Sequence, residues 1–211
     1  MNKCVIVASG PIERLDEMRA RFDDAYIISV DGGLRHLDHL NIKPDVIIGD
    51  FDSVDSALLE RYRTDDIPIY SYPSRKDATD SELAIDYAIE LSPKEVTLMG
   101  MTGKRMDHAI TNIHLLKRFW NHDILACVLD YYNRIYYCSG DMTLHGEIGD
   151  FISIVPISQE VKEVKTFGLE YPLENETLHF HESRGVSNVF LEHEVRIETG
   201  SGEFLIILSK D

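Results

Sequence analysis

Short apolar runs alternate with segments of helical period through the first two-thirds of the chain. Residues 4–8, 26–30, 46–48, 67–70, 96–99 and 124–129 are runs of strand length, rich in Val and Ile. Between them, residues 79–89 place Leu83 and Tyr87 on one face, with Ala84 and Ala88 one step round. Residues 106–120 repeat the period, aligning Ile110, Ile113, Leu116 and Trp120. Strand–helix alternation of this kind predicts an α/β domain over residues 1–132, a mainly parallel sheet flanked by helices. In such sheets ligands sit at the carboxyl ends of the strands, so the loops there carry the chemistry.

The pattern changes near residue 133. Segments 134–138, 151–156, 161–167, 177–180, 186–191, 194–198 and 204–208 are short, β-branched or aromatic, and punctuated by Gly, Pro and Asn. Glu194-Val195-Arg196-Ile197-Glu198 alternates polar and apolar, and no stretch of helical period intervenes. A small all-β antiparallel sandwich or barrel is expected over residues 133–211.

Charge narrows the possible partners. The net charge of −16 opposes binding to nucleic acid or to an anionic membrane, and no Lys/Arg run exceeds a pair. The hydrophobic fraction of 44% is enough for a folded core rather than an acidic disordered chain. Cys4, Cys127 and Cys138 are odd in number and far apart, which points to neither a disulfide framework nor a cysteine zinc site. Residues 1–8 lack the apolar region of a signal peptide and no run approaches membrane-spanning length, so a cytoplasmic protein is expected.

Four loops at the predicted ligand edge hold the unusual residues. They are Asp31-Gly32-Gly33, Gly49-Asp50-Phe51-Asp52-Ser53, Lys76-Asp77-Ala78-Thr79-Asp80, and the stretch from Gly100 through Thr102-Gly103-Lys104-Arg105 to Asp107 and His108. Two carboxylates about 4 Å apart repel by roughly 4 kcal/mol at an effective dielectric near 20. Converging Asp50, Asp52, Asp77 and Asp80 therefore calls for bound protons or a cation. A few carboxylates with positions left for water and phosphate oxygens suit Mg²⁺. The glycines permit close approach to a phosphate, and Lys76, Lys104 and Arg105 offer charge-assisted bonds to it. Metal-assisted phosphoryl-type transfer is the chemistry this combination favours. A plainer reading stands beside it, in which Asp77 and Asp80 are turn and helix-cap residues. Residues 100–105 are not a Walker A loop, no G-x-S-x-G elbow occurs, and the nine histidines contain no H-E-x-x-H.

Taken in order, these loops resemble the successive signatures of the thiamine pyrophosphokinase (thiamine diphosphokinase) family. They include Pro44-Asp45-Val46-Ile47-Ile48-Gly49-Asp50 and Gly103-Lys104-Arg105-Met106-Asp107-His108. In the second half, residues 166–173 and Ser183-Arg184-Gly185-Val186-Ser187-Asn188 resemble the family's thiamine-binding domain. The resemblance implies transfer of the pyrophosphoryl group of ATP to the hydroxyl of thiamine, giving thiamine diphosphate and AMP. It implies Asp50, Asp52, Asp77 and Asp80 around Mg²⁺, and ATP held by Asp31, Gly32, Gly33, Ser53, Lys76, Thr79, Thr102, Gly103, Lys104 and Arg105. Catalytic roles fall to Asp80, Asp107 and Arg105, with Asp80 and Asp107 rivals for receiving the hydroxyl proton. Thiamine would meet Asp107, Tyr171, Ser187 and Asn188, in a homodimer whose thiamine site lies at the subunit interface. Some relatives carry Trp at Tyr171; as a ring stacking on thiamine or as an edge-strand aromatic, Tyr171 keeps both readings. Two alternatives remain, a diphosphokinase for another alcohol such as a hydroxymethyl-pterin and a non-catalytic nucleotide or thiamine sensor.

Overall fold

Six strands, β1 (Lys3–Val7), β2 (Ala25–Val30), β3 (Val46–Gly49), β4 (Ile69–Ser71), β5 (Glu95–Met99) and β6 (Leu125–Leu129), form a parallel sheet in the computed structural model. The structure describes residues 1–52, 54–64, 66–72 and 78–210. They belong to the first of two compact units, Met1–Tyr131, and run in the order β6-β5-β1-β2-β3-β4. The central strands read as nearly continuous apolar runs because both faces are covered. Val5, Ile6, Val7, Ile28, Ile47 and Leu98 are all essentially inaccessible.

The covering helices are α1 (Leu34–His39), α2 (Ser56–Thr64), α3 (Asp80–Glu90), α4 (Met106–His114) and α5 (Leu116–Trp120). A 3₁₀ segment, Leu15–Phe22, buries Leu15, Met18 and Phe22 at helical spacing. α3 packs over β1, β2 and β3, turning Ala84, Ile85 and Ala88 inward. Leu58, Leu59 and Tyr62 of α2 close a cluster with Leu34 and Ile47, against which Phe51 and Ile69 pack.

The helix expected over 106–120 is two. The Leu115 N–H still reaches the Thr111 carbonyl, but the Arg118 N–H returns only three residues, to Leu115. Ala109, Asn112, Leu116 and Phe119, at helical spacing across the two helices, are buried, while Ile110 lies exposed.

Strand order reverses at the centre of this sheet. The chain steps outward from β1 through β2 and β3 to β4, then returns to place β5 on the other side of β1. The loops after β1 and β5 meet there, where the Gly10 N–H donates to the Gly100 carbonyl at 2.9 Å. Ligands of open α/β sheets bind at this switch point.

The second unit, Tyr132–Asp211, is all β, with strands β7 (Asn133–Cys138), β8 (Met142–His145), β9 (Phe151–Pro156), β10 (Glu160–Phe167), β11 (Glu174–His179), β12 (Asn188–Val189), β13 (Glu194–Glu198) and β14 (Phe204–Ser209). Antiparallel pairing gives one set ordered β12-β9-β14-β7 and a four-stranded sheet β11-β10-β13-β8. Gly185 lies between Ile154 of β9 and Leu178 of β11, as expected where two sheets share a core. The run 186–191 yields only the two residues of β12, because Ser187 adopts a left-handed φ of 59° and leaves the ladder. β8 was not expected, since Leu144 is its only buried side chain and the run offers little periodicity. Among the described residues no helix is long and apolar enough to cross a membrane.

Candidate active site

The acidic loops converge at the carboxyl ends of β2 and β3 and the start of α3. One carboxylate oxygen each from Asp31, Asp50 and Asp80 lies within 4.8 Å of the others. Asp31 follows β2 directly, Asp50 follows β3, and Asp80 is the first residue of α3. At such separations each pair of charges repels by about 3 kcal/mol at an effective dielectric near 20. Burial, with the charge of Asp80 adding to it, pushes the Asp31 carboxyl up to about 6. Three hard oxygen donors held against their mutual repulsion fit a small divalent cation, and Asp31, Asp50 and Asp80 are the residues that would hold it.

The geometry of the trio is set by the backbone beneath it. Asp31 sits at φ 46° and its Oδ1 accepts the Asp50 N–H at 3.1 Å. A Cβ on Gly49 would overlap that same carboxylate oxygen, so the loop passes over Asp31 only because residue 49 is glycine. Phe51, at φ 60°, turns the chain so that Asp50 points to the trio while its ring packs on the α2 cluster. Thr79 caps α3, its Oγ1 accepting the Glu82 N–H at 3.2 Å, and thereby places Asp80 on the first turn.

Several residues of the sequence reading fall elsewhere. Asp52 is exposed and outside the trio, its N–H donating to Asp50 Oδ1 at 3.2 Å. Asp31, expected among the ATP contacts, stands in the carboxylate trio with Asp50 and Asp80. Of the two proposed cap residues, Asp80 lies inside the helix and Thr79 is the cap. Gly32 and Gly33 are buried, and a Cβ on Gly33 would overlap the Val7 carbonyl, so Gly33 lets the start of α1 approach β1 closely. Ser53, Lys76 and Asp77 lie outside the described residues.

The loop after β5 forms the other side of the ligand edge. Thr102 is half-buried, with Oγ1 3.5 Å from Asp130 Oδ2, while Gly103 and Lys104 are exposed. Arg105 and Asp107 pair through two of the guanidinium nitrogens, Nε to Oδ1 at 3.2 Å and Nη2 to Oδ2 at 2.5 Å. This pairing draws the Asp107 carboxyl down to about 2, so Asp107 is a stable anion and a weak base. Sequence reasoning missed His36, whose Nε2 bonds the Gly10 carbonyl at 2.8 Å and steadies the switch-point loop. Burial holds its imidazole below the usual range, which keeps it neutral. A lone histidine at the third position of an unrecognised helix gave no signal of this.

In the second unit, Tyr171 and Ser187 are exposed and Asn188 is buried. Tyr171 follows a short antiparallel pairing, in which Leu191 N–H reaches Gly168 O at 2.9 Å and Glu170 N–H reaches Val189 O at 3.0 Å. The Ser187 N–H donates to Ser153 Oγ at 3.0 Å.

These two units correspond to two family models. One described as the thiamin pyrophosphokinase catalytic domain matches residues 20–129, and one described as the vitamin B1 binding domain of thiamin pyrophosphokinase matches residues 142–203. The chain is 30% identical over 209 residues to a thiamine pyrophosphokinase of Bacillus subtilis (strain 168), covering 98% of each. A crystal structure of thiamine pyrophosphokinase from Bacillus subtilis superposes with a TM-score of 0.91 at 28% identity, over 100% of both chains. A thiamin pyrophosphokinase from Geobacillus thermodenitrificans gives 0.87 at 28% identity, over 99% of this chain and 98% of that one.

Proposed function

The chain belongs to the thiamin pyrophosphokinase family, and from that premise we propose that it forms thiamine diphosphate and AMP from thiamine and ATP in a Mg²⁺-dependent transfer. The observation that carries the reading is the convergence of Asp31, Asp50 and Asp80 at the ligand edge of the unit matched by the catalytic-domain model. The match of the second unit to a vitamin B1 binding domain favours thiamine over a pterin alcohol.

In this transfer the hydroxyethyl oxygen of thiamine bonds to the β-phosphorus of ATP, and the bond from that phosphorus to the bridging α,β oxygen breaks. AMP leaves with the electron pair, and the hydroxyl proton is released as the new ester forms. A loose transition state asks for alignment and charge neutralisation more than for a strong base. Asp31, Asp50 and Asp80 would hold Mg²⁺, which when bound would supply charge neutralisation to the triphosphate. Lys104 and Arg105, exposed on the loop after β5, meet the remaining negative charge of the triphosphate. Asp107, held as an anion by Arg105, orients the thiamine hydroxyl, with Asp80 its rival for receiving the proton.

On the thiamine side, the exposed ring of Tyr171 stacks on the cationic thiazolium and Ser187 meets the aminopyrimidine. The same reading includes a homodimer that completes the thiamine site. Exposed Phe151, Val186 and Leu191, on the segments around Ser187 and Tyr171, support it as apolar surface awaiting a partner. Cys4, Cys127 and Cys138 are buried and form no disulfide, which suits a reducing, cytoplasmic setting.

Replacing Asp50 or Asp80 by Asn tests the metal assignment. Each variant is expected to lose Mg²⁺-dependent thiamine turnover by about 100-fold or more, with its thermal transition retained. Turnover near the parent rate in both variants contradicts the assignment.

A further inference from the structure

The side-chain amide of Asn188 is committed to the backbone of one residue. Its Oδ1 accepts the Tyr171 N–H at 3.0 Å, and its Nδ2 donates to the Tyr171 carbonyl at 2.6 Å. The same Oδ1 also accepts the Val189 N–H at 2.9 Å. These partners fix which end of the amide is oxygen, because a flipped amide would set its NH₂ against two N–H donors. Asn188 is 7% exposed, so its amide is inward, away from solvent.

The reason for this arrangement lies in the neighbouring backbone. Residues 168–170 pair with 189–191 through main-chain bonds, including a bridge between Leu169 and Phe190. One step further the ladder ends, since Ser187 is left-handed and its N–H has gone to Ser153. The Asn188 amide takes the place of the absent strand and carries the pairing on to Tyr171. Beyond Tyr171, Pro172 restricts the residue before it to extended backbone. The chain is then gripped again at Leu173, whose N–H reaches the buried Thr166 Oγ1 at 2.8 Å. Tyr171 is therefore anchored on both sides while the residue remains 57% exposed.

We propose that Asn188 is a positioning residue that fixes Tyr171 for the thiamine ring, and not itself a ligand of the aminopyrimidine. This rests on the reading that Tyr171 faces thiamine. A ring held ready on rigid backbone loses little freedom when a cation docks on it, so the amide acts on affinity without touching the substrate.

A double-mutant cycle between Asn188 and Tyr171 separates the two roles. Asn188→Ala is expected to raise the thiamine KM about tenfold with the ATP KM unchanged, and to add nothing in a Tyr171→Ala background. Asn188→Asp, which keeps the two acceptor bonds and loses the donor bond, is expected to fall between. Additive effects in the double variant make Asn188 a direct ligand and overturn the proposal. Amide hydrogen exchange gives a readout independent of activity: the Tyr171 N–H is expected to lose protection in Asn188→Ala, and unchanged protection overturns the clamp. If Tyr171→Ala leaves the thiamine KM unaltered, the assignment falls because Tyr171 does not face thiamine. Lost protection in Asn188→Ala alongside that result identifies the failed step as the thiamine reading rather than the clamp.

Discussion

Asp31 illustrates how one side chain takes its properties from position. It sits in a left-handed turn at the end of β2, accepts the Asp50 N–H, and shares a small space with Asp50 and Asp80. Burial and the charge of Asp80 raise its carboxyl from 3.8 to about 6, so the folded chain holds that proton more tightly than the unfolded chain does. The stability this contributes is complete below about 3.8 and is lost as pH rises through about 6. Mg²⁺ requires the ionised form, so proton and cation compete. The rise in thermal midpoint produced by Mg²⁺ is therefore expected to grow between pH 5 and pH 7, and to lose that pH dependence in Asp31→Asn. Scanning calorimetry across this range checks it; a Mg²⁺ effect independent of pH in the parent chain contradicts it.

At the scale of elements, the site depends on how α3 begins. Thr79 satisfies the Glu82 N–H, and Asp80 and Glu82 on the first turn oppose the positive helix end. Thr79→Ala should cost about 1 kcal/mol, lowering the thermal midpoint by roughly 2–4 °C for a chain of this size. Thr79→Ser should restore most of it, and an unchanged midpoint in Thr79→Ala would show that the cap is not needed. Apart from β8, the strands of both units were legible because burial on both faces, or on one, leaves long runs or clean alternation. α1 and α2 were not, since they are short and take their stability from packing of Leu34, Leu58, Leu59 and Tyr62 rather than from a long periodic stripe. In the site, Asp50 and Asp80 could be read from their loops, whereas the place of Asp31 in the trio depends on Gly49 passing over it. Nor could the buried amide of Asn188 be foreseen, because whether it meets ligand or backbone turns on the left-handed Ser187 beside it.

For the whole molecule, the charge of −16 resolves into two contributions. Most acidic side chains are solvated surface, several of them in exposed pairs such as Arg63–Glu60 that contribute little. The remainder, at Asp31, Asp50 and Asp80, gathers three carboxylates that fit a divalent cation, and under the proposed function that cation would let an acidic chain bind a polyanion. The same negative field favours a cationic acceptor, and Tyr171 of the β unit is an exposed aromatic that the proposed function assigns to it. The most direct test is to incubate the purified chain with ATP, thiamine and Mg²⁺ and to resolve the products by anion-exchange chromatography. AMP and thiamine diphosphate in equal amounts, both absent when thiamine is omitted, is the predicted result. ADP with thiamine monophosphate, or AMP release only with a hydroxymethyl-pterin, would contradict it.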